Sequence, residues 1–301
     1  MVSLRARLFY QAMRVFFRFL MPANMSIATY RKVSSQPLFE RMPRGIRWES
    51  SEINGISGEW ITPSNANTKQ VLLYLHGGGY VLSTPHIHRV LVGRLARAVG
   101  CRAFMPEYSL APENPFPAAL GDVLTVYRGL VMMGHHPSQI VVAGDSAGGG
   151  LVMALLIRLR DEGQSLPTAA CLISAMLDCT FSDSTISELQ KSDPFLRITD
   201  ISNMAKHYYG IHDPSDPLIS PIFADLHGLP PLLIYAGEYE ILRAESIRFS
   251  EKAHNAGVDV THKIWKGMIH AFPLFAGFIP EGKIAIAEIS KFFRGYLPLP
   301  K

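Results

Sequence analysis

The sequence predicts an α/β fold: one mostly parallel central sheet, flanked by helices on both faces and closed by a helical cap. Three observations predict it. Val71–Leu75, Ile140–Ala143 and Leu232–Ala236 are continuous apolar runs, as strands buried on both faces require. Segments of helical periodicity alternate with the strands, the pattern of a parallel sheet with covering helices. A glycine-flanked serine, Gly144-Asp-Ser-Ala-Gly148, sits between a strand and a helix. That is the setting in which a tight turn pushes a serine out at the top of a sheet.

Taken in order, residues 4, 8, 12, 16 and 20 (Leu4, Leu8, Ala12, Phe16, Leu20) form an apolar stripe at helical spacing. An amphipathic helix is expected there, its apolar face laid as a lid over the protein's own pocket or, second, on a membrane surface. Arg5, Arg7, Arg14 and Arg18 interrupt the stretch, so it lacks the apolar core of a signal peptide. Ala23–Arg44 is proline-punctuated, with room for a helix or two. Two alternating runs, Gly45–Ile53 and Ile56–Ile61, flank Asn54-Gly55, a strong hairpin signal that supplies an antiparallel edge. Then come strand Val71–Leu75, helix His86–Val99, strand Cys101–Met105, helix Pro117–Met133 and the serine's strand and helix, the latter read as Leu151–Arg160. Strand Thr168–Met176 follows. The stretch from Asp178 to Pro230 is too long for an ordinary connection and contains a helix near Thr199–Tyr209. After it come strand Leu232–Ala236, helix Leu242–Asn255, strand Val258–Trp265 and helix Ile284–Phe293. The expected organisation is therefore N-terminal cap helices over 1–44, a core over 45–177 and 230–301, and a cap insertion over 178–229.

Composition narrows the function. A hydrophobic content of 48% with 18% charge describes a large core. The net charge of +4 is mild, and no zinc-finger or RNA-binding signature is present, so no nucleic-acid partner is expected. Cys101, Cys171 and Cys179 lack CxxC spacing, which points away from a disulfide framework or metal site and towards the cytoplasm. No run is long enough to span a bilayer. No cofactor is expected.

A serine nucleophile needs a base, an orienting acid and an oxyanion hole. His76-Gly-Gly-Gly79-Tyr80 directly follows a buried strand; its glycines would let backbone N–H groups of Gly78 and Gly79 face the site, joined by Ala147 N–H after Ser146. It is neither G-x-G-x-x-G nor followed by a Walker lysine. For the acid, Glu240 lies just past strand Leu232–Ala236, with Glu238 and Asp178 as alternatives. For the base, His270 lies just past the strand ending at Trp265, whereas His135, His136, His207 and His212 read as exposed.

Together His76–Gly79, Gly144–Gly148 and Gly267-Met-Ile-His270 resemble the hormone-sensitive-lipase-like family of α/β-hydrolase esterases, as do Tyr108–Pro117 and Asp216–Pro221. The resemblance implies the α/β-hydrolase fold, a cap, Ser146 as nucleophile, His270 as base, Glu240 as acid, and Gly78, Gly79 and Ala147 N–H groups as oxyanion hole. It implies a serine carboxylesterase acting on small-molecule esters, with a homodimer through the edge strand Val258–Trp265. Two departures stand out: the family's usual aspartate is Glu240 here, and its usual arginine and preceding aspartate near Tyr108 are Ser109 and Glu107. A non-catalytic binder on the same fold, and a lipase acting at a membrane surface, are the alternative functions.

Overall fold

A computed structural model describes residues 2–20, 25–34 and 42–299. Eight strands form one sheet in the order β1-β2-β4-β3-β5-β6-β7-β8. The strands are β1 (Ile46–Ile53), β2 (Ile56–Pro63), β3 (Asn67–Leu75), β4 (Cys101–Pro106), β5 (Ile140–Asp145), β6 (Ala169–Ile173), β7 (Leu232–Gly237) and β8 (Val260–Trp265). β1 and β2 are the expected hairpin, and β2 runs antiparallel to β4; every pair from β4 to β8 is parallel. β5, which carries the serine, is central and buried at every residue.

The covering helices are α1 (Leu4–Val15), α2 (Ile27–Ser34), α3 (Pro85–Val99), α4 (Ala118–Met132), α5 (Ala147–Asp161), α6 (Ile186–Ser192), α7 (Ile198–Tyr209), α8 (Arg243–Asn255) and α9 (Pro280–Tyr296). Apolar residues of α3 and α9 close one face of the sheet, and those of α4, α5 and α8 the other. A β-strand buried on both faces has no polar side to present, which is why the central strands read as unbroken apolar runs.

Several boundaries differ from the sequence reading. α5 begins at Ala147 rather than Leu151, so Gly148, Gly149 and Gly150 are helical. They are glycine because the helix is jammed against its neighbours: a Cβ on Gly148 would lie 2.0 Å from Leu75 O. β6 stops at Ile173, since Ser174 turns to a φ of 50°. α9 begins a turn early, at Pro280, and α6 was not anticipated. His135 is buried, not exposed, with its Nδ1 2.9 Å from Lys69 O.

The larger correction concerns α1, which a wide π-type turn (Phe16–Leu20) extends. The stripe read as its inner face points outward: Leu4 is 72% exposed, Leu8 62% and Phe16 43%, and Ala12 is exposed too. (The side chain of Leu20 lies outside the described residues, as do 21–24 and 35–41 of the expected cap helices.) The inner face is instead Ala6, Phe9, Tyr10 and Met13, packed with α9 and the loops after β7 and β8. Leaving a leucine side chain in water forgoes about 1.5–3 kcal/mol that full burial would return.

Candidate active site

β5 ends at Asp145, and the chain reverses through Ser146 into α5. Ser146 has φ 53° and ψ −125°, a left-handed backbone that a side chain other than glycine rarely adopts. The turn is tight because Gly144 and Gly148 touch: a Cβ on Gly144 would stand 2.4 Å from Gly148 O. Ser146 N–H donates to Ile173 O at 2.9 Å, and Ser146 O accepts from Met176 N–H at 2.9 Å. The N-terminus of α5 opens directly beneath the serine, where its unpaired N–H groups favour developing negative charge.

The loop after β3 lies beside this turn. Gly77 N–H is already spent, donating to Asp145 Oδ1 at 3.1 Å. Gly78 (φ 122°) and Gly79 (φ 60°) then twist the chain, and a Cβ on Gly78 would fall 2.3 Å from Leu82 O. The N–H groups of Gly78, Gly79 and Ala147 have no acceptor among the described residues. His76 stacks on Tyr108 with ring centroids 4.3 Å apart, and the Tyr108 hydroxyl donates to His76 O at 2.6 Å. Burial, helped by the nearby His88, lowers the His76 pKa to about 4, so its ring stays neutral and serves the loop's shape.

Of the three candidate acids, Glu240 is the one beside His270. Its Oε2 lies 3.4 Å from His270 Nδ1, with both side chains buried. That contact falls short of hydrogen-bond geometry, and neither Glu240 oxygen has another partner. Burial alone would push the His270 pKa down, but Glu240, with Asp193 and Asp145 behind it, raises it above the ordinary value. Glu238 does something else: its Oε2 accepts Gly267 N–H at 2.7 Å and so shapes the histidine's loop. Asp178 is occupied by Arg248 at 3.2 Å and by Thr180 N–H at 3.0 Å. The β7 and β8 loops are locked together where Tyr239 N–H donates to Met268 O at 2.9 Å, and Gly237 lacks a side chain because a Cβ would meet that same oxygen at 2.6 Å.

One connection bridges the serine and the histidine. Ile173 O takes Ser146 N–H, and the next residue, Ser174, accepts Ala271 N–H on its Oγ at 2.9 Å. The residues flanking β6's end thus tie Ser146 and the His270 loop to the same spot. Ser174 carried no signal in sequence, where it reads as part of the strand Thr168–Met176.

Comparison with known proteins identifies the fold and the family. A profile for the alpha/beta hydrolase fold matches residues 72–274. The chain belongs to the alpha/beta hydrolase fold family. An esterase of Acinetobacter venetianus is 38% identical over 79% of this chain and 78% of its own. An acetyl-hydrolase of Streptomyces hygroscopicus is 39% identical over 79% of each. A crystal structure of an esterase from the bacterial hormone-sensitive lipase family superposes with a TM-score of 0.92 at 37% identity, covering 99% of this chain and 100% of that one. EstE5, crystallised and soaked with p-nitrophenyl butyrate, superposes with a TM-score of 0.92 at 36% identity over 98% and 99%. The chain is accordingly a hormone-sensitive-lipase-like carboxylic ester hydrolase. None of the helices among its described residues is long and apolar enough to cross a membrane.

Two features of this hydrolase were not legible in sequence. The first is Asp193, just after α6. Its Oδ1 accepts the N–H groups of Phe195 and Leu196 (2.8 Å each), while Oδ2 accepts Ile241 N–H at 2.9 Å, next to Glu240. Burial raises its pKa to about 6. This carboxylate therefore fastens the 178–229 segment to the acid's own loop. Phe195 lies parallel over His270 at 5.9 Å and meets Phe17 edge-on at 4.6 Å. On the other side of the site α7 closes down, its Tyr208 stacked on Tyr80 at 3.6 Å and its Met204 Sδ 2.8 Å from where a Gly79 Cβ would be.

The second is a buried pair under the elbow. Asp145 lies 3.0 Å from His88 Nε2 and accepts the Tyr74 hydroxyl at 2.8 Å, and His88 Nδ1 lies 3.0 Å from Thr84 O. Burial opposes both charges, but each partner outweighs it: the Asp145 pKa is lowered by His88, and the His88 pKa is raised by Asp145. The lowered carboxylate stabilises the fold above its unfolded pKa and loses that as pH falls. The raised imidazole stabilises it below its unfolded pKa and loses that as pH rises. The pair is therefore worth most near pH 6, between the two ordinary values of about 4 and 6.5. Asp145→Asn strands His88 and loosens Gly77, and should cost about 3 kcal/mol in urea unfolding near pH 6. A loss under about 1 kcal/mol would contradict a charged pair.

Proposed function

We propose that this hydrolase is a serine carboxylesterase for short- to medium-chain acyl esters, working through an acyl-enzyme. Ser146 Oγ attacks the acyl carbon while His270 takes its proton; Glu240 holds the imidazole and balances the imidazolium. The Gly78, Gly79 and Ala147 N–H groups receive the charge that develops on the carbonyl oxygen. His270 then passes the proton to the leaving alcohol, and water completes the second half by the same route. The observation that carries the reading is Ser146 held at φ 53° on the strand-to-helix turn, with a buried His270–Glu240 pair fastened to the same strand end. We assign 1–44 and 178–229 to a cap over the catalytic domain formed by 45–177 and 230–301.

The acyl-length reading rests on how closely the cap approaches. Met204 and Tyr208 press directly on Gly79 and Tyr80, and EstE5 was soaked with a butyryl ester. Turnover of p-nitrophenyl esters should peak between acetyl and hexanoyl and fall about tenfold or more by dodecanoyl. A maximum at dodecanoyl or beyond would instead favour the lipase reading. No turnover of any chain length, with a folded protein, would favour a non-catalytic binder. All three cysteines are free and buried, which supports a cytoplasmic setting. β8 ends the sheet, and we propose a homodimer along that edge.

A further inference from the structure

We propose that the outward face of α1 is a docking surface for an anionic lipid bilayer. The face is mostly apolar, with exposed Gln11 set between Leu8 and Val15. Leu4, Leu8 and Val15 stand 72%, 62% and 53% exposed, and at 100° per residue they fall within one narrow stripe of the helix; Phe19, 75% exposed, follows in the π-type turn. The opposite side, Ala6, Phe9, Tyr10 and Met13, is the one that packs on the protein.

Charge selects the occupant. Six of the chain's 29 Lys and Arg residues, and none of its 25 Asp and Glu residues, fall in the first 39 positions, so the remainder carries a net charge of −2. Arg31, in α2, pairs with Glu113, so the charge that bears on this face is that of α1 itself, which holds Arg5, Arg7 and Arg14 and no acidic residue. Arg5 and Arg7 are exposed on either flank of the stripe, an arrangement in which the ring of charge meets lipid headgroups while the stripe enters the acyl boundary. A second copy of the chain fits poorly, because a two-fold contact would set the same arginines against each other.

The helix is also anchored for such a role. Ser3 caps it, and Ser3 N–H and Oγ both donate to Glu281 at 2.7 and 2.9 Å. At its far end Phe17 touches Phe195, which covers His270. A bilayer on this face would thus lie over the cap side of the site, where a lipid-dissolved ester could enter without crossing bulk water.

The test is sedimentation of the full chain with vesicles of phosphatidylcholine alone and with vesicles in which about a quarter of the lipid is phosphatidylglycerol. Wild type should sediment with the anionic vesicles and not the neutral ones, and release at high salt, where screening shortens to about 3 Å. Arg5→Gln and Arg7→Gln should each weaken binding about fivefold, and Leu8→Glu should abolish it. Leu8→Glu should still hydrolyse a soluble butyryl ester at the wild-type rate, showing that the fold is intact. Ser146→Ala should bind vesicles like wild type, so docking and the catalytic reading are tested apart. Equal sedimentation with both vesicles, or with neither, overturns the proposal. So does a dimer in gel filtration that Leu8→Glu splits, which would assign the face to a second copy.

Discussion

Replacing Ser146 with alanine should lower p-nitrophenyl butyrate turnover by about 10⁶-fold, with no loss of melting temperature. The effect is large because no neighbouring group can stand in for the hydroxyl. The geometry also predicts a second, opposite change. Ser146 is held at φ 53°, a strain of about 1 kcal/mol or more that glycine does not feel. Ser146→Gly should therefore be as inactive as the alanine variant yet more stable by about 1 kcal/mol. Turnover surviving in either variant would remove Ser146 from the mechanism.

Replacing Glu240 with glutamine should lower kcat by about 10⁴-fold. Glutamine keeps the size but presents an amide that can donate towards His270 Nδ1, favouring the wrong tautomer. Because neither Glu240 oxygen has a hydrogen-bond partner, no other contact holds the replacement in place. The pH profile supplies a separate readout. His270 works as a base only when neutral, and burial tends to lower its pKa while Glu240 more than restores it. The acid limb of the wild-type profile therefore has its midpoint above the ordinary imidazole value of about 6.5, and in Glu240→Gln it moves to lower pH. In stability terms the raised pKa of His270 contributes below the unfolded value and is lost as pH rises through the folded one. Glu238→Gln and Asp178→Asn, which remove groups engaged with Gly267 and Arg248, should each cost less than about tenfold. If either proved the more damaging, the acid would have to be reassigned.

Most of the candidate site was readable before any fold existed, because its chemistry is local. Glycines at 77, 78, 144 and 148 are needed because a Cβ there would stand within about 2–3 Å of neighbouring backbone, and that need is written into a few consecutive residues. Strand-end placement then ranked Glu240 and His270 among many acids and eleven histidines. What local pattern could not reach was the set of contacts made by residues distant in sequence. Asp193 joins the 178–229 segment to Ile241, Ser174 receives Ala271, and His88 becomes a buried charge only because Asp145 lies 3.0 Å away. Each of these residues looks ordinary until the partner is in place.

α1 marks the division between the two kinds of information. Its periodicity determined that residues 4–15 form a helix with an apolar stripe, since the spacing of side chains on a helix is a property of the backbone alone. But the helix is apolar on two opposite sides, Leu4 and Leu8 on one and Phe9 and Met13 on the other. Periodicity measures pitch, not phase, so it could not say which side turns inward. The docking of Phe9 onto Phe275, of Tyr10 onto Tyr239 and of Ser3 onto Glu281 decided that, leaving the other stripe in water.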